Sequence, residues 1–327
     1  MKMEALAISL SAFLLGAIGA YLVSRYGIKT GLADIPGERS SHRRPTPRGG
    51  GAGIIAGMLI AGIVSGGPAA GLAISAAGIM GIAEDIYGIP AKTRLAGLLC
   101  VSAAYIIFSS HYSGLGGIVF WALFMTAAAN FYNFMDGVDG MAGLSGLVCF
   151  SLMAFFALLK GNTPVFMLCI SAAAASAGFL PFNWPKARVF MGDGGSLALG
   201  FAFGLTVHEL SSGLTDFLLL LLFLPMHSDA LITLFARWRE GEQLMKAHRK
   251  HLYQYLANEL RLDHWEVSLL YALSQAAVGT AALLLYRGGP FAISMLAASF
   301  SLVFIAAYRA IKSSVGLKEK SERSVLC

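Results

Sequence analysis

Apolar residues run in long blocks along this chain, and short polar stretches interrupt them again and again. Crossing the hydrocarbon core of a bilayer takes about 20 mostly apolar residues in a helix. Blocks near that length occur at 4–24, 51–66, 69–83, 95–109, 116–134, 140–159, 164–182, 196–208, 215–235, 265–286 and 291–311. They predict an all-α, polytopic membrane protein with about 11 transmembrane helices. The weakest blocks are 196–208 and the pair 51–66 and 69–83, which are short. Not even the longest polar stretch, 237–264, has room for a soluble domain, so 1–327 reads as a single integral-membrane domain.

Composition sharpens this picture. With 57% hydrophobic and 13% charged residues, the chain is too apolar for an ordinary soluble protein. Lysine and arginine mark cytoplasmic loops. If the N-terminus lies outside, the inside segments hold all 24 basic residues except Lys2, Lys160 and Arg287, and the C-terminus is cytoplasmic. The inside loops that carry polar chemistry are then about 25–50, 84–94, 133–139, 183–195 and 237–264. The formal charge of +6 is in this reading a topology signal, not the footprint of a nucleic-acid binder. Cys100, Cys149, Cys169 and Cys327 are scattered, with no metal-ligand spacing.

Ionisable and amide side chains are costly in a bilayer, so where they gather is informative. Five clusters stand at the inside ends of the blocks. In the first, running from Asp34 to Gly51, Pro45 and Pro47 lead into Arg48 and the glycine run Gly49, Gly50 and Gly51. A glycine run opening a helix can cradle phosphate, and a basic turn is the plainer reading. Glu84 and Asp85 form the second, followed by Lys92 and Arg94; adjacent carboxylates suit a metal or a general base, or a solvated helix end. The third is Asn130, Asn133, Asp136 and Asp139, whose spacing of three predicts one broad helical face. In the fourth, Asn183, Phe190 and Asp193 precede a glycine pair, which reads as a cation ligand beside an aromatic platform or as a simple Asp-Gly turn. His248 and His251 form the fifth. No third zinc ligand is near in sequence, so they suit a diphosphate, or else belong to a helix lying on anionic lipid.

Taken in order, these clusters resemble the polyprenyl-phosphate N-acetylhexosamine-1-phosphate transferases, a family that also includes the enzymes that start O-antigen synthesis. Asn130–Gly140 is similar to the family's N-x-x-N-x-x-D-G-x-D-G signature, and Asn183–Ser196 to its N-x-x-P-A-x-x-F-x-G-D-x-G-S signature, with Lys186 inserted. The resemblance implies ten or eleven helices in a bacterial inner membrane, a cytoplasmic cleft and dependence on Mg²⁺ (or Mn²⁺). It implies that a polyprenyl phosphate attacks the sugar-bearing phosphorus of a UDP-N-acetylhexosamine and expels UMP. Asp193 would hold the metal and Phe190 would stack on uracil. Glu84, Asp85, Asp136, Asp139, His248 and His251 would be catalytic. Arg48, Gly49, Gly50, Lys92, Asn130, Asn133 and Asn183 would bind substrate. Two departures stand out: Glu84-Asp85 where the family has paired aspartates, and a looser histidine motif followed by Tyr253-Gln254. This histidine variant is more similar to members that start O-antigen or similar lipid-linked glycans.

The rival from another class is a transporter or flippase with a cytoplasmic anion site, since polar residues within a bundle also mark ion paths. The charges gather at one face and no inverted repeat is evident, which favours the enzyme. The orientation has a direct test. Cysteines placed at Ser41, Thr93 and Ser321 are expected to resist impermeant thiol reagents in intact cells, while one at Ser212 labels. A labelled Ser41 or Thr93 position would reverse the topology.

Overall fold

The computed structural model describes residues 2–36, 44–109, 114–243 and 248–325, with side chains to 315. Arg39, Ser41, Arg43, Lys246 and Cys327 lie outside the described residues, as do the side chains of Lys318, Lys320, Ser321 and Arg323. The fold is all-helical apart from one small antiparallel ladder, β1 (Ala33–Asp34) with β2 (Thr46–Pro47). Its helices are α1 (Lys2–Tyr26), α2 (Ala52–Val64), α3 (Pro68–Tyr87), α4 (Ala91–Phe108), α5 (Gly114–Phe134), α6 (Met141–Leu159), α7 (Thr163–Asn183), α8 (Gly192–Leu210), α9 (Leu214–Leu221), α10 (His227–Arg239), α11 (Leu252–Gln254), α12 (His264–Leu285) and α13 (Gly289–Val325).

Seven segments among the described residues are long and apolar enough to cross a membrane: α1, α3, α4, α5, α6, α7, and His264–Val315, which contains α12 and most of α13. This is a multi-pass membrane protein, but the count of about eleven spans needs correction: blocks 265–286 and 291–311 fall within one continuous segment, and the other three discrepancies have physical origins. α2 has only 13 residues, about 20 Å at 1.5 Å per residue. α8 begins with Asp193 and ends with His208 and Glu209. It is buried on nearly every side, so its neighbours are other helices and its outer surface need not be apolar. The block 215–235 is two helices, since the chain leaves α9 at Leu222 and re-enters helix at His227, with Pro225 between; proline lacks the N–H that a continuous helix needs.

α8 forms the axis of the bundle, with α3 and α5 packed along it. α1 packs against α7 and α2, α6 against α7 and α12, and α4 against α5. Several contacts bring backbones together, as small residues allow in membranes. A Cβ on Gly178 would fall 2.0 Å from the Phe13 carbonyl oxygen, and one on Gly16 would fall 2.1 Å from that of Ala175. Another contact shapes the functional end. A Cβ on Gly81 would lie 2.3 Å from the Asp193 carbonyl oxygen, so α3 passes directly over the start of α8. Asp85, one turn further along α3, is carried to the same place.

Candidate active site

Four of the five sequence clusters meet at one end of α8. Asp34, Arg48, Asp85, Asp136, Asp139, Asn183, Phe190 and Asp193 line one polar cavity of about 270 Å³, together with Gln254 and His264. The local backbone explains the convergence. Gly192 takes a left-handed φ of 76°, and a side chain there would press within 2.7 Å of Asp85 Oδ2. Only glycine meets both demands. Asp193 stands in the first turn of α8, and the Gly194 N–H donates to Asp85 Oδ2 at 3.4 Å.

The carboxylates are held by few, specific partners. Asn133 Nδ2 donates to Asp193 Oδ1 at 2.8 Å and to Ser196 Oγ at 3.0 Å. Arg94, itself buried, grips both Glu84 oxygens through Nη1 at 2.7 and 2.8 Å and reaches to 4.0 Å from Asp193 Oδ2. Arg48 Nε lies 3.6 Å from Asp85 Oδ1, and Arg48 Nη2 donates to the Asp85 carbonyl. Asp139 accepts from the Ala187 N–H at 3.1 Å and faces His264 Nδ1 at 3.3 Å. Burial, then the charges of Asp193, Asp85 and Asp139, push the Asp136 carboxyl up to about 7. Like charges crowded into a poorly solvated cavity resist ionising together.

A second space adjoins the first. Leu95, Leu99, Leu123, Ala127, Phe131 and Leu234 line an apolar groove of about 670 Å³ between α4, α5 and α10, with Arg94, Asn130, Asn133, His248, His251 and Gln254 at its polar end. Gln254 lines both spaces. The rings of His248 and His251 are 4.8 Å apart. Burial, then the neighbouring His251 and Arg237, pulls His248 down to about 4, so it is neutral at pH 7.

Several residues sit differently from their sequence reading. α5 ends at Phe134, so Asn130 and Asn133 are helical while Asp136 and Asp139 lie in the following loop, not on one helical face. The Gly50 and Gly51 N–H groups donate to the carbonyls of Phe190 and Met191, both at 2.9 Å. Like the Arg48–Phe190 bridge, these bonds join the first loop to the fourth, which accounts for the glycines without a phosphate. Gly49, at φ 99°, supplies the turn. Asn183 is a clamp: its Oδ1 accepts from Gly140 N–H at 2.8 Å and its Nδ2 donates to the Val189 carbonyl at 3.0 Å. Asn130 Nδ2 donates to the Thr126 carbonyl at 2.8 Å, and its side chain faces the groove, not the carboxylate cavity. Lys92 is exposed and lines neither space; Arg94, two residues on, is the basic residue that reaches the acids. Sequence reasoning passed over His264 and Asp229 and gave Arg94 no role in the site. Asp229 left a signal, as a carboxylate inside an apolar block.

Comparison with known proteins now has a geometry to explain. The model of the family described as glycosyl transferase family 4 matches residues 68–211, which carry Glu84, Asp85, Arg94, Asp136, Asp139 and Asp193. Over residues 68–211 the chain is similar to glycosyl transferase family 4. It is 34% identical over 183 residues to the phospho-N-acetylmuramoyl-pentapeptide-transferase of Staphylococcus saprophyticus, covering 55% of this chain and 53% of that protein. It is 28% identical over 202 residues to a probable undecaprenyl-phosphate N-acetylglucosaminyl 1-phosphate transferase of Bacillus subtilis, covering 55% and 56%. These alignments span about half of each relative. A longer one, 27% identical over 279 residues, covers 77% of this chain and 76% of the undecaprenyl-phosphate alpha-N-acetylglucosaminyl 1-phosphate transferase of Salmonella typhi.

No group of three or more histidine, cysteine or acidic side chains is placed to hold a metal among the described residues. That is compatible with Mg²⁺, which keeps several waters and takes one or two carboxylates plus substrate phosphates. Hard oxygen donors in surplus around one cavity fit such an ion.

The strain at Asp136 has a measurable consequence. Its carboxyl titrates near 7 when folded against an ordinary 3.8. Between these values the folded chain holds the extra proton, so stability falls as pH rises from about 4 to about 7 and stays lowered above. Asp136→Asn is expected to raise the thermal midpoint at pH 8 and to change it little near pH 4. Equal effects at both pH values would contradict this electrostatic account.

Proposed function

We propose that this protein transfers an N-acetylhexosamine-1-phosphate from a UDP-sugar to a polyprenyl phosphate. The observation that carries the reading is the junction of a carboxylate-lined polar cavity with an apolar groove at Asn133 and Gln254. A water-soluble nucleotide sugar and a long lipid both need access to one reacting centre, and this arrangement gives each its own approach. The names of the Bacillus and Salmonella relatives, both undecaprenyl-phosphate transferases, support the same chemistry.

Asp193, with Asp136 across the cavity, would hold the magnesium (or manganese) ion, which offsets diphosphate charge when bound. Arg48, beside Asp85, is placed to bind phosphate oxygens of the nucleotide, and Phe190 offers uracil a stacking face. Arg94 fixes Glu84 and lies at the mouth of the groove, where the lipid phosphate would enter. An oxygen of that phosphate attacks the sugar-bearing phosphorus; the bond from this phosphorus to the bridging oxygen breaks, and UMP leaves with that oxygen. In-line displacement of this kind depends on positioning and charge more than on covalent help. Neutral His248 and the adjacent His251 would hydrogen-bond the lipid phosphate. The distribution of basic residues supports a position for this centre at the cytoplasmic side of a bacterial inner membrane, and the product would start a lipid-linked envelope glycan such as O-antigen.

Purified protein given radiolabelled UDP-N-acetylhexosamines and polyprenyl phosphate is expected to yield a lipid-linked product and UMP without any ion gradient. Asp193→Asn is expected to lose at least ~10²-fold in rate, the scale of a major electrostatic element. Phe190→Ala is expected to weaken UDP-sugar binding by about 1–3 kcal/mol, and Phe190→Tyr by less. No labelled lipid from any sugar tested, or normal turnover by Asp193→Asn, would refute the proposal.

A further inference from the structure

The loop after α10 carries the two histidines of the groove, yet among its described residues only one short helical turn, α11, and a wider turn at Tyr255–Glu259 give it regular structure. Something outside the loop must therefore fix the imidazoles. The structure shows a fully buried carboxylate doing so. Asp229, on the first turn of α10, has no solvent exposure. Its Oδ1 accepts from the Leu252 N–H at 2.8 Å and from Thr233 Oγ1 at 3.2 Å. Its Oδ2 accepts from the Tyr253 N–H at 3.2 Å and from the Tyr271 hydroxyl at 2.8 Å. Three separate elements, α10, the histidine loop and α12, are thus tied to one side chain.

His251 completes the cluster. The side chain is buried, and its Nδ1 stands 3.5 Å from Asp229 Oδ1. Its backbone N–H donates to Gln254 Oε1 at 3.2 Å, so the same turn also sets the residue shared by the two spaces. Tyr253, whose N–H rests on Asp229, sends its hydroxyl to the Phe134 carbonyl at 3.0 Å, at the end of α5 just before Asp136. A carboxylate facing Nδ1 favours the tautomer protonated there and leaves Nε2 as the acceptor of the neutral ring. An imidazole so poised can take a hydrogen bond from a protonated lipid phosphate.

We propose that Asp229 is a positioning residue for the transfer reaction, holding the His248–Gln254 turn in place and His251 in its Nδ1-protonated form. This rests on the function proposed above, but its structural half stands by itself. Asp229 touches neither space and is not a catalytic residue; it acts through His251.

The test uses the full-length protein in detergent, ¹⁵N-labelled at histidine, with the His251 signal assigned by its loss in His251→Asn. The parent is expected to show the Nδ1-protonated tautomer, and Asp229→Asn a mixture or the Nε2-protonated form. In the transfer assay Asp229→Asn is expected to lower kcat about 10- to 100-fold, the usual scale for a residue that orients another. KM for the UDP-sugar is expected to stay within about twofold, since the nucleotide lies in the other space. Asp229→Asn combined with His251→Asn is expected to be no slower than the slower single variant, because coupled residues are not additive. A parent protonated at Nε2, or losses that multiply in the double variant, would overturn the proposal. If Asp229→Asn does not fold, the parent spectrum still decides, and Tyr271→Phe, which removes one donor, is expected to give a smaller loss in the same direction. A parent with no transferase activity would remove the proposed function while leaving the tautomer measurement to judge the positioning claim.

Discussion

Repulsion among carboxylates is the constraint around which this structure is organised. Asp85, Asp136, Asp139 and Asp193 border one cavity of about 270 Å³, and Glu84 stands just behind, gripped by Arg94. Crowding like charges where water is scarce is unfavourable, and Asp136 registers it directly in its raised titration. The cations nearby offset it only in part: Arg94 is committed to Glu84, and Arg48 divides its contacts between the Asp85 side chain and backbone. Such a site is poor packing and a good receptor for a cation carrying phosphates.

The scaffold makes the crowding possible by bringing backbones into contact. α3 crosses the start of α8 at Gly81, and the first loop locks to the fourth through Gly50, Gly51 and the Arg48–Phe190 bridge. The acids therefore converge from helix ends and loops, yet each is fixed by a rigid neighbour: Asp193 by Asn133, Asp139 by Ala187 and His264, Asp85 by Gly194 and Arg48. On the other side of Asn133 and Gln254 the lining passes from polar, at Arg94, Asn130 and the two histidines, to apolar. A reaction between a nucleotide sugar and a lipid phosphate needs just such a boundary.

Much of this was legible in the sequence, for a physical reason: carboxylates and amides beside apolar blocks have few explanations other than function. Asp85, Asp136, Asp139 and Asp193 could be gathered on that basis before any fold was known. The histidine pair could be found but not placed, because its position depends on Asp229, 19 residues before His248, through a burial that no local pattern reveals. Arg94 and Lys92 were equivalent as sequence; a two-residue difference on a helix, about 200° of rotation, sends one into the protein and the other to its surface. The span count went astray where apolarity ceases to report lipid contact. α8 is enclosed by other helices and tolerates Asp193, His208 and Glu209, while 215–235 has the composition of a span but breaks at Leu222–Met226. Asn183 is a different case, a polar residue in a signature whose amide oxygen and nitrogen each hold a loop.

If the crowded acids exist to receive a cation and a phosphate, supplying both must relieve the repulsion that folding leaves in place. The direct measurement is the thermal midpoint of the purified protein at pH 8, titrated with Mg²⁺ in the presence of UMP, for the parent and for Asp193→Asn. The expected result is a midpoint that rises with Mg²⁺ in the parent, rises further with UMP, and barely moves in the variant. A parent whose midpoint ignores both ligands, or a variant that responds as the parent does, would contradict the account.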